Sequence, residues 1–241
     1  MRISRRRVGA IFTKEVREYR RNVAIVVTMA VLPLIFIVPP LIGILELSNA
    51  SSSALLNGDP LAYLLGIPAV VPAVIAGYAV VGERQQGTLE PVLTTPIRRE
   101  EFLLAKALAA LIPVVVVSCL VFLVFVVCVE LFAQPAIRSS AFSGPELLAQ
   151  LIFTPLIAAW SIWLGIAIST RSNEVRVAQQ LGILASLPTV AVTTLVAYSV
   201  IPVSPQLVIG FAVVLIVLDR AGWRFVSAMF DRERLIVATR A

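Results

Sequence analysis

Apolar runs long enough to match the hydrocarbon core of a bilayer as helices, about 20 residues each, recur along the whole chain. They lie at Val23–Leu45, Leu61–Val81, Phe102–Phe132, Leu148–Ser169, Ala178–Ile201 and Gln206–Leu218. Polar or turn-rich segments part them: Glu46–Pro60 with its Asn57-Gly58-Asp59-Pro60 turn, Gly82–Glu101, Ala133–Glu146, Arg171–Val177, and the tight Pro202-Val203-Ser204-Pro205 turn. The last run reaches span length if its helix continues through Asp219 and Arg220 to about Phe230; five spans plus a re-entrant piece near Pro202–Pro205 is the alternative. The pattern predicts an all-α fold, a polytopic membrane helix bundle of six transmembrane helices.

Ahead of the first run, Val8, Ile11, Phe12, Val16 and Tyr19 fall on one arc of a helical wheel, with Lys14, Arg17 and Arg21 opposite. That is the pattern of a helix lying in the headgroup plane. A basic leader before an apolar run also resembles a signal peptide. The run is longer than a signal h-region and no small-x-small cleavage site closes it, so it is read as a retained first span. The expected organisation is an amphipathic interfacial helix over 1–22, a six-span domain over 23–220 that includes the loop 82–101, and a tail over 221–241.

Composition sharpens this picture. Of 241 residues, 59% are hydrophobic and only 14% charged, with a mean hydropathy of +0.95. A soluble domain would carry roughly a quarter charged residues. The formal net charge of +6 does not indicate nucleic-acid binding, because the basic residues flank the apolar runs instead of forming a face with interleaved aromatics. With the N-terminus inside, every Lys and Arg except Arg138 falls on the inner side. The excess of positive charge in cytoplasmic segments therefore predicts cytoplasmic termini. Cys119 and Cys128 lie in one run on opposite helix faces, which suits neither a mutual disulfide nor a shared metal. The chain has no histidine, which removes imidazole metal sites and histidine acid–base chemistry.

The second inner loop, Gly82–Glu101, holds the most specific signal. Thr88 can cap a short helix, Glu90 suits its positive end, and Pro96 would stop it. The result is a short surface helix offering Leu89, Val92 and Leu93 between two spans. At these residues the sequence resembles the ABC-2-type permeases, the membrane subunits of one class of ATP-driven exporters. The match runs through Glu83, Gly87, Thr88, Leu89, Glu90, Leu93, Thr95, Pro96 and Arg98 to Lys106. The six spans, the basic leader helix and the Asp231-Arg232-Glu233-Arg234-Leu235 tail extend the resemblance over nearly the whole chain. It implies that Gly87–Pro96 is a cytoplasmic coupling helix docking into a groove on a separate ATPase subunit. Glu83, Gly87, Thr88, Leu89, Glu90, Leu93 and Pro96 are the implied coupling residues. It further implies a second permease copy, identical or paired, ATP and Mg held by the partner ATPase alone, and a place in the plasma (inner) membrane.

The residues agree with an external energy source. No Gly-x-x-x-x-Gly-Lys-Ser/Thr loop exists, since the only lysines are Lys14 and Lys106 and neither follows glycine. The runs carry almost no charge away from their ends, whereas a secondary transporter usually places acidic residues near the midplane. No serine–lysine pair, aspartate pair or metal-binding helix supports intramembrane catalysis. The reading is a permease subunit, not an enzyme, with no bound cofactor. A channel or ATP-independent carrier, or a scaffold subunit, is the alternative. For the route, Ser186, Thr189 and Thr193 share one face of span five as candidate lining; such hydroxyls otherwise bond their own backbone. Gly66, Pro68, Pro72 and Gly77 predict a kinked span two. Ser161, Gly165 and Ser169 form a small-x-x-x-small stripe for close helix packing.

Overall fold

The computed structural model describes residues 4–46, 60–87, 98–132, 144–198, 200–201 and 204–229. Every regular element among them is helical. Helix α1 (Arg5–Arg21) ends at Asn22, whose backbone is extended and whose N–H closes back on Glu18 and Tyr19. The Asn22 side chain then accepts from the N–H groups of Ala24 and Ile25 at 3.1 and 3.4 Å, capping α2 (Val23–Glu46). One residue thus turns the chain from the leader helix into span one. Span two is built from α3 (Pro60–Leu64), α4 (Gly66–Tyr78) and α5 (Val81–Gln85); α6 (Arg99–Phe132), α7 (Gly144–Arg171), α8 (Val175–Ala197) and α9 (Pro205–Met229) complete the order.

Six helices are long and apolar enough to cross a membrane. Exposed Val26, Leu34, Leu123, Leu184 and Val213 cover the outside of the bundle, a surface that suits lipid and would aggregate in water. Span six has full length, because α9 continues through Asp219 and Arg220 to Met229. Span five ends at Ala197, so the two runs are separate spans and not one span plus a re-entrant piece. The longer helix also corrects one expectation: Asp219 lies well inside α9, so the spans are not free of charge away from their ends.

Span two is the axis of the bundle, with nearly all of its apolar stretch buried and α2, α6, α7 and α8 packed around α4. Its small residues allow that. A Cβ on Gly165 of α7 would meet the Ala73 carbonyl and the Ala76 methyl at 2.7 Å, and one on Gly182 of α8 would meet the Ala73 carbonyl at 3.0 Å. Where hydrocarbon surrounds the helices, such close approach of backbones supplies the packing.

The kink foreseen for span two is two interruptions with different causes. The first falls at Leu65, where α3 ends. Pro68 has no N–H to offer the Leu64 carbonyl one turn earlier. The second falls at Ala79–Val80, away from any proline. There the Ser169 hydroxyl oxygen accepts from the N–H groups of both Val80 and Val81 at 3.0 Å. A side chain inserted into the ladder breaks the helix and satisfies the groups it frees. Ser169 therefore does more than permit close packing.

Gly165→Ala should lower the stability of the detergent-solubilised protein by about 1–3 kcal/mol, because the added methyl must displace backbone. Gly210→Ala, where nothing lies within 4 Å, should not lower it. Thermal or chemical unfolding of the two variants checks the contrast.

Candidate functional site

Most of the coupling segment inferred from the sequence, including Thr88, Leu89, Glu90, Leu93 and Pro96, lies outside the described residues, as do the Asn57–Asp59 turn, Arg138 and the Asp231–Leu235 tail. What the structure does describe is how that loop is anchored. On one side Gly87 has φ +68°, and its N–H reaches back to Arg84 O at 3.2 Å. This left-handed position just past α5 ends the helix and turns the chain away, a conformation that costs any residue with a Cβ about 1 kcal/mol or more. On the other side Arg98 caps α6. Its N–H donates to Glu101 Oε2 at 3.3 Å, the reach-back arm of a capping box.

These two feet are tied together by α1. Its arc of Val8, Ile11, Phe12, Val16 and Tyr19 packs on the core of the bundle, with Ile11 and Tyr19 buried and Val8, Phe12 and Val16 partly so. Glu15 falls on the same stripe, one turn from Ile11 and from Tyr19, and is buried with them. Buried carboxylates need partners, and Glu15 finds one in Lys106 of α6, Nζ to Oε1 3.0 Å. Lys106 also pairs with Glu83 of α5 at 3.3 Å. Glu83 accepts from Lys14 of α1 at 2.7 Å, and Lys14 returns to Glu15 at 3.6 Å. Four side chains from three helices thus close a ring of alternating charge. The side chains of Lys106, Glu83 and Glu15 are 1, 2 and 3% exposed, and only Lys14 opens to solvent, at 44%. Phe102, one turn before Lys106, lays its ring 4.9 Å from the ammonium, a cation–π contact that adds to the charge pairing.

The ring sits in a wider set of ties. Glu101 of α6 is buried and accepts the Ser4 N–H and Arg7 Nη2 at 2.9 Å each, which pins the start of α1 to the start of α6. Glu18 accepts from the Tyr78 hydroxyl at 3.2 Å, and Gln86 donates to that same hydroxyl. Arg84 turns the other way. Its guanidinium donates to the carbonyls of Thr170 and Ser172 at 3.1 and 3.2 Å, at the negative end of α7, where a cation is favoured. The short α5 is therefore held on one side by Glu83 and on the other by Arg84.

Around the ring three carboxylates (Glu15, Glu18, Glu83) meet two ammonium groups (Lys14, Lys106). Burial pushes the Glu15 carboxyl up; Lys106 opposes the rise and the nearby Glu83 charge adds to it. Burial pushes the Tyr19 phenol well up, helped by Glu15 and Glu18. For Lys14, burial works against the charged form, but the Glu83 hydrogen bond and the charges of Glu83, Glu15 and Glu18 outweigh it, and its pKa is raised.

Of the sequence-derived candidates, Glu83 and Gly87 both fall at this site. Lys106, singled out as part of the loop pattern, is its centre. Glu15 was missed; its place between Ile11 and Tyr19 on the apolar arc was the available signal. In span five, Ser186 and Thr193 are buried and donate to their own helix, to Ile183 O at 2.7 Å and Val190 O at 3.0 Å. Thr189 is half-buried. Thr193 also borders an apolar cavity of about 170 Å³ with Leu65, Phe153 and Phe211. Among the described residues no group of three or more His, Cys, Asp or Glu could hold a metal ion.

Removing one member of a buried ion pair strands the others and typically costs about 3–5 kcal/mol. Lys106→Met should therefore destabilise the protein by that order, measured by chemical unfolding in detergent. The pH dependence has a definite sign. A lysine whose folded pKa is raised contributes stability that is fully present below its unfolded value of 10.5 and is lost as pH rises through the folded pKa. The stability gap between wild type and Lys14→Met should stay constant from neutral pH to about 10.5 and close at higher pH.

No curated protein matches the chain. The ABC-2 family transporter profile matches residues 9–209, from the leader helix through span five into the start of span six, and takes in Glu15, Glu83, Glu101 and Lys106 together with the loop between them. A match of that extent, in a chain with six membrane-length helices, shows the family: this chain belongs to the ABC-2 family of transporter proteins.

Proposed function

We propose that this membrane transport subunit is driven from its 82–101 loop by a separate ATPase, and that it works as an exporter. The observation that carries the reading is the charge ring. A loop that only connected two spans would not need both feet locked to a third helix through buried ammonium and carboxylate groups. In the proposed cycle the ATPase grips Gly87–Pro96 through Leu89 and Leu93, with Thr88 and Glu90 shaping the start of the knob. The pull passes into α5 and α6 together, because Glu83 and Lys106 share a ring, and through α1 and Asn22 into span one. Arg84 and Ser169 carry it to span four. Glu83 is thus a positioning residue for the loop, and ATP and Mg are held by the partner.

A pull on one bundle needs something to pull against, and a second permease copy supplies it. The distribution of basic residues supports cytoplasmic termini in the plasma (inner) membrane, which places the loop on the side where ATP is available. Ser186, Thr189 and Thr193 belong to this reading as lining of the route, and the apolar cavity at Thr193 supports a hydrophobic cargo. A second reading, an ion-coupled carrier, is favoured by Asp219, whose Oδ1 is buried in span six with no hydrogen-bond partner among the described residues.

Leu89→Glu with Leu93→Glu should abolish co-purification of the ATPase while the permease still inserts. Unchanged co-purification contradicts docking at this loop. Transport that proceeds without ATP and is lost in Asp219→Asn would select the carrier.

A further inference from the structure

We propose that the groove between α1 and the end of α5 binds the phosphate of an anionic phospholipid. The groove has a volume of about 440 Å³ and is lined by Ala10, Thr13, Lys14, Arg17, Glu18, Arg21 and Gln86. It flanks the face of α1 packed on the bundle, since Lys14 and Glu18 on its wall reach Glu83 and Tyr78. Arg17 and Arg21 are one helical turn apart, so both guanidiniums project into the same space. Each is exposed, and neither has an ion-pair partner among the described residues. Two like charges at that spacing repel. A phosphate between them relieves the repulsion and can accept from both forks. Lys14 on the groove wall adds positive charge, although it is already paired with Glu83. The Glu18 carboxylate opposes an anion at one edge, but it is engaged by Tyr78.

The chain itself identifies the source of the phosphate. Arg21 is followed by Asn22 and then by Val23, the first residue of span one. Arg21 therefore stands within one helical turn of the hydrocarbon, and Arg17 one turn further, which is headgroup depth. The small Ala10 and Thr13, which line the groove on the N-terminal side of the basic residues, leave room for the headgroup. Gln86, on the opposite wall, immediately precedes Gly87 at the foot of the loop. A bound headgroup would bridge α1 to that foot across the open side of the charge ring.

The test uses the full chain purified in detergent and titrated with phosphatidylglycerol or phosphatidylcholine. Lipid retention is read by native mass spectrometry and the melting midpoint in parallel. Wild type should bind phosphatidylglycerol about tenfold more tightly than phosphatidylcholine. The exposed double variant Arg17→Gln/Arg21→Gln should lose that preference while keeping the lipid-free melting midpoint, and Arg224→Gln, on span six, should keep it. Equal affinity for the two lipids in wild type, or an undiminished preference in the double variant, overturns the proposal. Inorganic phosphate raising the melting midpoint as much as phosphatidylglycerol would overturn the lipid as its source.

Discussion

One buried ammonium organises the loop end of this protein. Lys106 is nearly inaccessible to solvent and lies between two carboxylates, Glu15 and Glu83, that come from different helices. None of the three could be buried alone, because an unpaired charge in a low-dielectric setting is too costly to keep. Each therefore requires the others, and the requirement fixes the positions of α1, α5 and α6 relative to one another. A buried ion pair adds little net stability compared with apolar packing. Its use here is geometric: it makes three separate helices hold one arrangement.

That arrangement explains why α1 is amphipathic in the way it is. Its apolar arc packs on the bundle, with a carboxylate in the middle of the arc, and its arginine-rich face stays exposed. The lengths fit as well. Helix α6 has 34 residues, about 51 Å at the usual rise, against roughly 30 Å of hydrocarbon. The excess gives α1 a surface beside the Glu101 and Lys106 turns. At the centre of the bundle the constraint changes in kind. Span two is held by close contact of Ala73, Ala76, Gly165 and Gly182, and by one hydroxyl, Ser169, that caps its second break.

Much of this was legible in the sequence, and the rest was hidden for identifiable reasons. The six spans followed from run length alone, and full-length α9 resolved the one doubtful run. Glu83, Gly87 and Lys106 were visible as members of a local pattern, but nothing in the pattern says that Glu83 and Lys106 touch. Glu15 was readable on the helical wheel once its neighbours Ile11 and Tyr19 were placed. Ser169 was out of reach, because its role depends on backbone groups at Val80 and Val81, nearly ninety residues away in sequence. Asp219 stood just past a run that ends at Leu218 unless its helix continues, and it belongs to the interior of the longer helix α9. Pairings distant along the chain were what the sequence could not supply.

Both feet of the loop should move as one body, because α1 locks them together. Spin labels at Gln85 and Arg99, in a background with Cys119 and Cys128 replaced, would report the distance between the feet within one permease assembled with its ATPase. Across the nucleotide cycle the distance should stay constant and narrow in the wild-type ring and broaden in Lys106→Met, while the same labels change distance between permease copies. Feet that separate on ATP binding with the ring intact would contradict it.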